Sequence, residues 1–208
     1  MRHDPQPGDS PRRLVLVRHG RSAHRHNGWV AIEGFRRWRE AYEAAALREG
    51  ERPPAELVAL GAAADLVVSS DAPRAVASAQ LLVARGPVEI SPLLRELDLE
   101  APALGGLRWP LFVWAVAVGA RSAALARREQ SRTSAESRRV LAAAAWLDEL
   151  SAGHPTTVAV THASLRRRLL EELQRLGWRP ESSDRSWAPW SAWSLRLPSR
   201  VGSEGPPA

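Results

Sequence analysis

Short apolar runs that end in a polar side chain alternate along this chain with longer stretches of helical periodicity. Such runs are typical of buried parallel strands, and apolar residues that recur every three or four positions indicate amphipathic helices. Strands are predicted at 14–17, 66–69, 88–90, 156–161 and 190–197. Helices are predicted at 34–49, 55–64, 72–84, 110–128, 133–152 and 163–176. Strands that alternate with helices predict a mostly parallel, doubly wound sheet, with the last strand at its edge.

The starts of two helices carry capping signals. Asp71 is predicted as the N-cap of the helix at 72–84, and Pro73 suits its first turn. Arg74 then lies near a helix N-terminus, where free N–H groups and the helix dipole favour an anion. Thr133 and Glu136 have the spacing of a capping box and predict the start of the helix at 133–152.

Composition places the chain among ordinary globular proteins. Its 208 residues suit one domain, with 44% hydrophobic and 25% charged residues. There is no cysteine, which excludes disulfides, thiolate chemistry and cysteine-ligated zinc, and which is compatible with a cytoplasmic location. No apolar run approaches the roughly 20 residues needed to span a bilayer, so no membrane association is expected. The polar, proline-containing segments 1–12 and 198–208 are predicted to be disordered.

The net charge of +6 raises the question of nucleic-acid binding. All 29 basic residues are arginine, a bias that together with abundant alanine indicates codon composition rather than a selected basic patch. The cluster Arg166, Arg167 and Arg168 is predicted to form the solvated face of a helix whose other face is apolar. No nucleic-acid partner is therefore expected.

Candidate catalytic residues follow the predicted strands. Arg18 and His19 come directly after the first strand, and His162 follows the strand at 156–161. Ligands of open α/β sheets bind at the carboxyl ends of the strands, so these side chains are expected to meet there. An imidazole beside a guanidinium can attack phosphorus while the guanidinium holds phosphate oxygens. Glu96 and Asp98 follow a further strand and supply carboxylates.

The order of these motifs resembles the histidine phosphatase superfamily, the phosphoglycerate-mutase-like group. The resemblance runs from about residue 13 to about residue 176. It rests on the motifs Arg18-His19-Gly20, Ser69-Ser70 followed by Arg74, Leu94-Arg95-Glu96-Leu97-Asp98 and Thr161-His162-Ala163. It implies a three-layer α/β/α sandwich over residues 13–197, with a mostly parallel central sheet and small helical cap insertions at 22–53 and 102–132. It also implies a covalent phosphohistidine intermediate and neither metal nor cofactor.

The same resemblance implies roles for individual residues. His19 would be the nucleophile, Arg18 and Arg74 would hold the phosphate, and a protonated His162 would donate to it. The two histidines then need environments that split their pKa values. Glu96 would be the general acid and base, with Asp98 as the competing candidate.

The segment after Gly20 departs in part from the family pattern. Ser22 matches it and is expected at the phosphate, whereas Arg21 replaces an acidic or amide residue and either attracts anions or points into solvent. Asn27 is displaced by two positions from the usual phosphate-contacting amide. Zinc ligation by His24 and His26 is the alternative use of this segment, although their spacing is not that of common zinc sites.

The implied activity is metal-independent hydrolysis of phosphate monoesters of a small phosphorylated substrate. Two alternatives stay open: a phosphomutase of the same fold and a non-catalytic phosphoryl-binding regulatory protein. The nine tryptophans are expected in core and cap packing. Alternatively, Trp29, Trp38, Trp109 or Trp114 would line an apolar wall over the pocket and select an apolar leaving group. Neither the substrate nor the oligomeric state can be predicted.

Overall fold

A computed structural model describes residues 11–24, 28–98, 106–126, 134–182 and 186–199. The strands are β1 (Arg12–Arg18), β2 (Trp29–Val30), β3 (Leu66–Ser69), β4 (Glu89–Ile90), β5 (Trp109–Pro110), β6 (Thr156–Thr161), β7 (Arg179–Pro180) and β8 (Ala192–Leu197). The helices are α1 (Ile32–Glu43), α2 (Ala55–Ala62), α3 (Pro73–Gln80), α4 (Leu111–Ala126), α5 (Ala135–Gly153) and α6 (Ala163–Arg175). β1 begins within the segment predicted to be disordered, because Arg12 donates to the carbonyl of Asp148 and the hydroxyl of Ser151.

The central sheet has the strand order β4-β3-β6-β1-β8-β7. β4, β3, β6 and β1 are parallel, whereas β8 pairs antiparallel with β1. The sequence had predicted that the last strand lies at the sheet edge. This prediction was wrong, because β8 lies between β1 and β7. The two-residue strand β7, which the sequence pattern missed, pairs with β8 and covers it.

Helices pack on both faces of the sheet and form the three predicted layers. α5 and α6 cover one face, where their apolar residues meet Leu14, Leu16 and Ala159 of the central strands. α2 and α3 cover the other face, against Val15 and Val17. The central strands β1, β3 and β6 thus alternate their side chains between two buried layers, which explains the apolar runs within them. The predicted fold class is confirmed.

A small helical layer is built from α1 and α4, in the two segments where cap insertions were expected. Phe35 and Trp114 stack in its core, with ring centroids 5.0 Å apart. The two-residue strands β2 and β5, which the sequence pattern missed, pair with each other beside these helices. Trp29 of this ribbon is 62% exposed, whereas Trp114 is fully buried, so these two tryptophans have different roles.

The helix starts differ from the predicted caps. The N-cap of α3 is Ala72, which makes no side-chain cap, and Asp71 instead accepts two hydrogen bonds from Arg95. Pro73 does occupy the first turn, as predicted. The N-cap of α5 is Ser134, whose hydroxyl accepts from the N–H of Ser137 at 3.1 Å. Asp71 was therefore wrong as a cap because Arg95 binds its carboxylate, and the N-cap of α5 lies one residue later than predicted, while Thr133 lies outside the described residues.

Arg166 corrects the prediction of a solvated arginine face. Its side chain is fully buried, while Arg167 stays exposed and pairs with Glu171. The guanidinium of Arg166 lies over the ring of Trp193, 3.9 Å from its centroid, and donates to the carbonyls of Ser186 and Ser191. Sequence periodicity cannot identify such a residue, since its acceptors belong to a distant segment.

The helices in the described part of the chain are all too short or too polar to cross a membrane.

Candidate active site

β1 and β6 place two histidines side by side at the carboxyl end of the sheet. The strands are paired in parallel with Arg18 opposite Thr161, so His19 and His162 come next to each other. The backbone N–H of His19 donates to the carbonyl of Thr161 at 3.0 Å, which continues the ladder by one residue. The two imidazole centroids are 4.9 Å apart, and both side chains are buried.

The hydrogen bonds of His19 define its tautomer. Nδ1 lies 2.6 Å from the carbonyl oxygen of Gly20, which can only accept, so Nδ1 carries the proton. Nε2 therefore presents a lone pair, and Nε of Arg74 donates to it at 3.3 Å. Burial, together with the charge of Arg74, lowers the pKa of His19 to about 3. The imidazole is thus neutral, with its lone pair at Nε2.

The absence of a side chain at Gly20 allows Trp190 and Leu47 to pack closely against the backbone. A Cβ at this position would lie 2.5 Å from the ring of Trp190 and 2.8 Å from a methyl group of Leu47. Its N–H donates to the hydroxyl of Ser78 at 3.0 Å. The glycine therefore keeps the chain that follows His19 tightly against its neighbours.

Arg74 connects the histidines with the end of α1. Its side chain is fully buried in the second position of α3. Besides donating to His19, its Nη2 donates to Nδ1 of His162 at 3.1 Å. Nη1 donates to the carbonyls of Tyr42 and Glu43, and Nη2 also contacts a carboxylate oxygen of Glu43 at 3.2 Å.

His162 accepts from Arg74, so its Nε2 must be the protonated nitrogen. That nitrogen donates to the hydroxyl of Ser70 at 3.0 Å. Burial lowers the pKa of His162 well below its usual value, and the neighbouring His19 and Arg74 add to the effect. The protein groups therefore shift the pKa values of both histidines downwards, whereas the sequence had suggested that their environments would split them.

Arg18, Arg21 and Ser22 line the same cavity as His19, a space of about 690 Å³. Arg18 donates from Nη1 to the carbonyl of Trp187. The hydroxyl of Ser22 accepts from the N–H of His24 at 3.0 Å. Arg21 is exposed at the rim, and its backbone N–H donates to Glu51.

Glu96 lies in a neighbouring cavity of about 900 Å³, which Glu43 and Asp98 also line. Its carboxylate accepts from the N–H groups of Leu97, Ser164 and Leu165. Glu96 therefore caps the N-terminus of α6, directly after His162, a role the sequence did not suggest. Burial raises its pKa, against the opposing effect of the three N–H donors.

Asp98 has a different environment from Glu96. Its carboxylate is 80% exposed and pairs with Arg39 at 2.8 Å. Of the two candidate acids, Glu96 is the less exposed, and it is the one whose pKa is raised by burial. This difference favours Glu96 as the acid.

Comparison with solved structures decides the fold family. The mycobacterial glucosyl-3-phosphoglycerate phosphatase superposes with a TM-score of 0.54 and 23% identity, over 89% of this chain and 90% of that one. Phosphoglycerate mutase from Bacillus anthracis superposes with a TM-score of 0.56 and 17% identity, over 93% and 91%. The chain has the phosphoglycerate mutase-like fold. The fold implied by the sequence resemblance is thereby confirmed.

Sequence comparison adds nothing to this structural likeness. No protein-family model matches the chain, and no protein with a curated description does so either. The same mycobacterial phosphatase in complex with VO3 superposes with a TM-score of 0.52 and 22% identity, over 88% of this chain and 90% of that one. The phosphoglycerate mutase-like fold is therefore recognised through three-dimensional structure and short motifs.

Within this fold, the sequence missed three residues of the site. Tyr42 and Glu43 end α1, predicted to run on to residue 49, and their carbonyls bind Arg74. Trp190 packs on Gly20 and adopts a φ of 64°, a conformation that bulky residues rarely take. Its indole N–H donates to Glu51 at 2.9 Å. The helical spacing of Tyr42 was visible in the sequence, but its direction toward the site was not.

Trp38 packs against two residues that line the cavity of His19. It stacks on Tyr42 with ring centroids 5.5 Å apart, and it packs against His24. Tyr42 and His24 in turn line the cavity of His19.

Among the described residues, no group of three or more His, Cys, Asp or Glu side chains is arranged to hold a metal ion. His26 and Asn27 lie outside the described residues.

Proposed function

We propose that this chain is a phosphohydrolase that cleaves phosphate monoesters through a covalent phosphohistidine on His19, without a metal ion. One observation supports this most directly: the Nε2 lone pair of a neutral His19, a residue that lines the cavity, accepts a hydrogen bond from the buried guanidinium of Arg74. A phosphoryl group in contact with Nε2 meets a nucleophile and a cation together. The cytoplasmic location expected from composition stays a prediction.

The first step transfers the phosphoryl group to the protein. The Nε2 lone pair of His19 attacks phosphorus, and the bond between phosphorus and the ester oxygen breaks. Glu96 gives its proton to the departing oxygen, a role that suits its raised pKa. Arg18, Arg74 and His162 hold the phosphoryl oxygens, with Ser22 and Arg21 at the entrance.

The second step returns His19 to its starting state. The Glu96 carboxylate removes a proton from a water molecule, whose oxygen attacks phosphorus. The bond between phosphorus and Nε2 breaks, and its electron pair returns to the imidazole. Phosphate leaves, and Glu96 is protonated for the next cycle.

The cavity that Glu96 lines would accommodate the leaving group, because the acid must reach the ester oxygen. Its lining is mostly charged and includes Arg36, Arg39, Glu40 and Arg95. These groups favour a polar leaving group on a small phosphorylated substrate, rather than the apolar one that the tryptophans suggested.

The test is release of phosphate from p-nitrophenyl phosphate in the presence of EDTA. The proposal expects turnover that survives chelation, with inorganic phosphate as the product. A mutase would instead return the phosphoryl group to an acceptor substrate and release little phosphate. A phosphoryl-binding protein would show neither reaction while still binding phosphate.

Substituting Glu96→Gln separates the acid role from the capping role. The amide oxygen in the place of Oε1 still accepts from the N–H groups of Leu97 and Leu165, so α6 keeps part of its cap, and the hydrogen bond from Ser164 is lost. The variant is expected to lose about 10²-fold or more of its activity on an alkyl phosphate, whose oxygen needs a proton to leave. With p-nitrophenyl phosphate it should still release one rapid equivalent of p-nitrophenol, followed by slow turnover as phosphohistidine accumulates.

The matched control is Asp98→Asn, which removes the other candidate carboxylate at the exposed pair with Arg39. It should retain wild-type rates on both substrates. Loss of activity in Asp98→Asn, with Glu96→Gln unaffected, would transfer the acid role to Asp98.

The lowered pKa of His19 predicts a pH dependence. Because the folded protein disfavours the charged imidazole, His19 stays neutral as the pH falls, until it approaches about 3. Its nucleophilic form is therefore present throughout the range in which an ordinary histidine becomes protonated. NMR titration of the imidazole signals, assigned with His19→Ala, should show no protonation of His19 between pH 8 and 5. A midpoint near the ordinary histidine value would contradict the proposed environment.

A further inference from the structure

The guanidinium of Arg74 is fully engaged by protein groups, one of which is negatively charged. An arginine side chain has five N–H donors, and Arg74 has five acceptors within hydrogen-bond distance. Two of these are the nitrogens of His19 and His162. The remaining three belong to the last turn of α1: the carbonyls of Tyr42 and Glu43, and a carboxylate oxygen of Glu43. A phosphoryl group that binds Arg74 must replace at least one acceptor.

The end of α1 depends on this contact. The last carbonyls of a helix lack partners within the helix, and a cation there is favourable. α1 has no basic residue in its own last turn, so Arg74 supplies the charge from α3. The ring of Tyr42 also lies 4.2 Å from the guanidinium carbon, and its hydroxyl is 3.5 Å from Nε2 of His19.

We propose that Glu43 competes with the phosphoryl group for Arg74 and thereby sets the affinity of the site for phosphate. This inference rests on the proposed function, because it takes Arg74 as a phosphate-binding residue. Of the five acceptors, the Glu43 carboxylate is the charged one, and its side chain is 44% exposed. It can therefore turn into solvent, whereas the buried imidazoles and the backbone carbonyls are held by their surroundings.

The carboxylate also opposes phosphate while it stays in place. The Glu43 carboxylate oxygen lies 3.2 Å from Nη2 of Arg74, whose side chain is fully buried. The carboxylate therefore offsets much of the positive charge with which Arg74 attracts an anion. A dianionic phosphoryl group can compensate for its displacement better than a monoanion can. The site thus binds dianions in preference to monoanions. It also releases the phosphate product readily, because the Glu43 carboxylate can return to Arg74.

The experiment compares Glu43→Gln with the wild-type protein, using inorganic phosphate and orthovanadate as probes in isothermal titration calorimetry. Glutamine keeps the shape and an acceptor oxygen but removes the charge. The variant is expected to bind both anions about three- to tenfold more tightly, since one opposing charge near a partly exposed pair is removed. Glu33→Gln, on the exposed face of α1 where Glu33 pairs with Arg36, should bind as the wild type does.

Unchanged or weaker binding in a folded Glu43→Gln variant overturns the proposal, because a purely structural role for Glu43 would lower affinity. If the variant does not fold, hydrogen exchange on the wild-type protein decides. Saturating phosphate should then accelerate amide exchange at residues 40–45 relative to the rest of α1, and slower exchange there would overturn the proposal. The binding assay needs no turnover, so tighter binding without hydrolysis would refute the proposed function and leave this inference standing.

Discussion

Replacing His19 with alanine is expected to lower the rate of phosphate release by about 10⁴-fold or more, the scale found when a covalent nucleophile is removed. The variant loses the lone pair at Nε2, and no other described group is placed to substitute for it. His162 lies next to His19, but unlike His19 it is not among the residues that line the cavity. Its Nδ1 accepts from Arg74 and its Nε2 donates to Ser70.

The same substitution should leave phosphate binding largely intact. Arg74 keeps its place through the carbonyls of Tyr42 and Glu43, and Arg18 keeps its contact with the carbonyl of Trp187. Phosphate release is measured with p-nitrophenyl phosphate, and binding is measured by titration with inorganic phosphate. A variant that neither binds nor turns over would show misfolding rather than loss of the nucleophile.

A matched histidine tests the specificity of this effect. His154 follows α5 and its Nδ1 lies 2.8 Å from the carbonyl of Leu150, away from the cavity of His19. His154→Ala should retain wild-type turnover. Activity that persists in His19→Ala would refute His19 as the nucleophile and, with it, the proposed phosphohistidine.

Replacing Arg166 with alanine is expected to destabilise the protein by about 3 kcal/mol or more, because several buried acceptors lose their donor together. Arg166 donates to the carbonyls of Ser186 and Ser191 at 2.8 and 2.5 Å, and to the Ser191 hydroxyl at 3.0 Å. Its guanidinium also covers the ring of Trp193. These contacts hold α6 to the segment that leads into β8. Urea unfolding measures the change in free energy.

Arg167→Ala is the control, one residue along the same helix. Arg167 is exposed and contacts Glu171 at 3.7 Å, a surface pair whose loss costs about 0.5 kcal/mol or less. Equal destabilisation by the two substitutions would mean that Arg166 contributes only as a surface charge. A large difference between them would confirm that its buried contacts stabilise the fold.

Local pattern predicted the scaffold of the site because its strands are buried on both faces. β6 has a buried apolar centre of Val158, Ala159 and Val160 between β-branched threonines, and its predicted boundaries at Thr156 and Thr161 agree with the structure. His19 and His162 come directly after such strands, which predicted that both lie at the carboxyl edge of the sheet, and the pairing of β1 with β6 in the structure brings them together. The alternation of strands with helices therefore came from the sequence pattern, whereas the three-layer α/β/α arrangement was implied by the family resemblance.

Tertiary structure decided which polar group satisfies which partner. Glu96 caps α6, Asp71 binds Arg95, and Arg166 is buried against a segment far along the chain. Likewise, Glu43 meets Arg74 only because α1 ends beside α3. Hydrogen bonds form between groups that are close in space, and the periodicity of a short segment does not indicate which distant groups are close to it. The sequence by itself therefore determined the main strands of the sheet and the candidate nucleophile, whereas tertiary packing decided the tautomer of His19, the surroundings of Glu96 and the ion pair between Glu43 and Arg74.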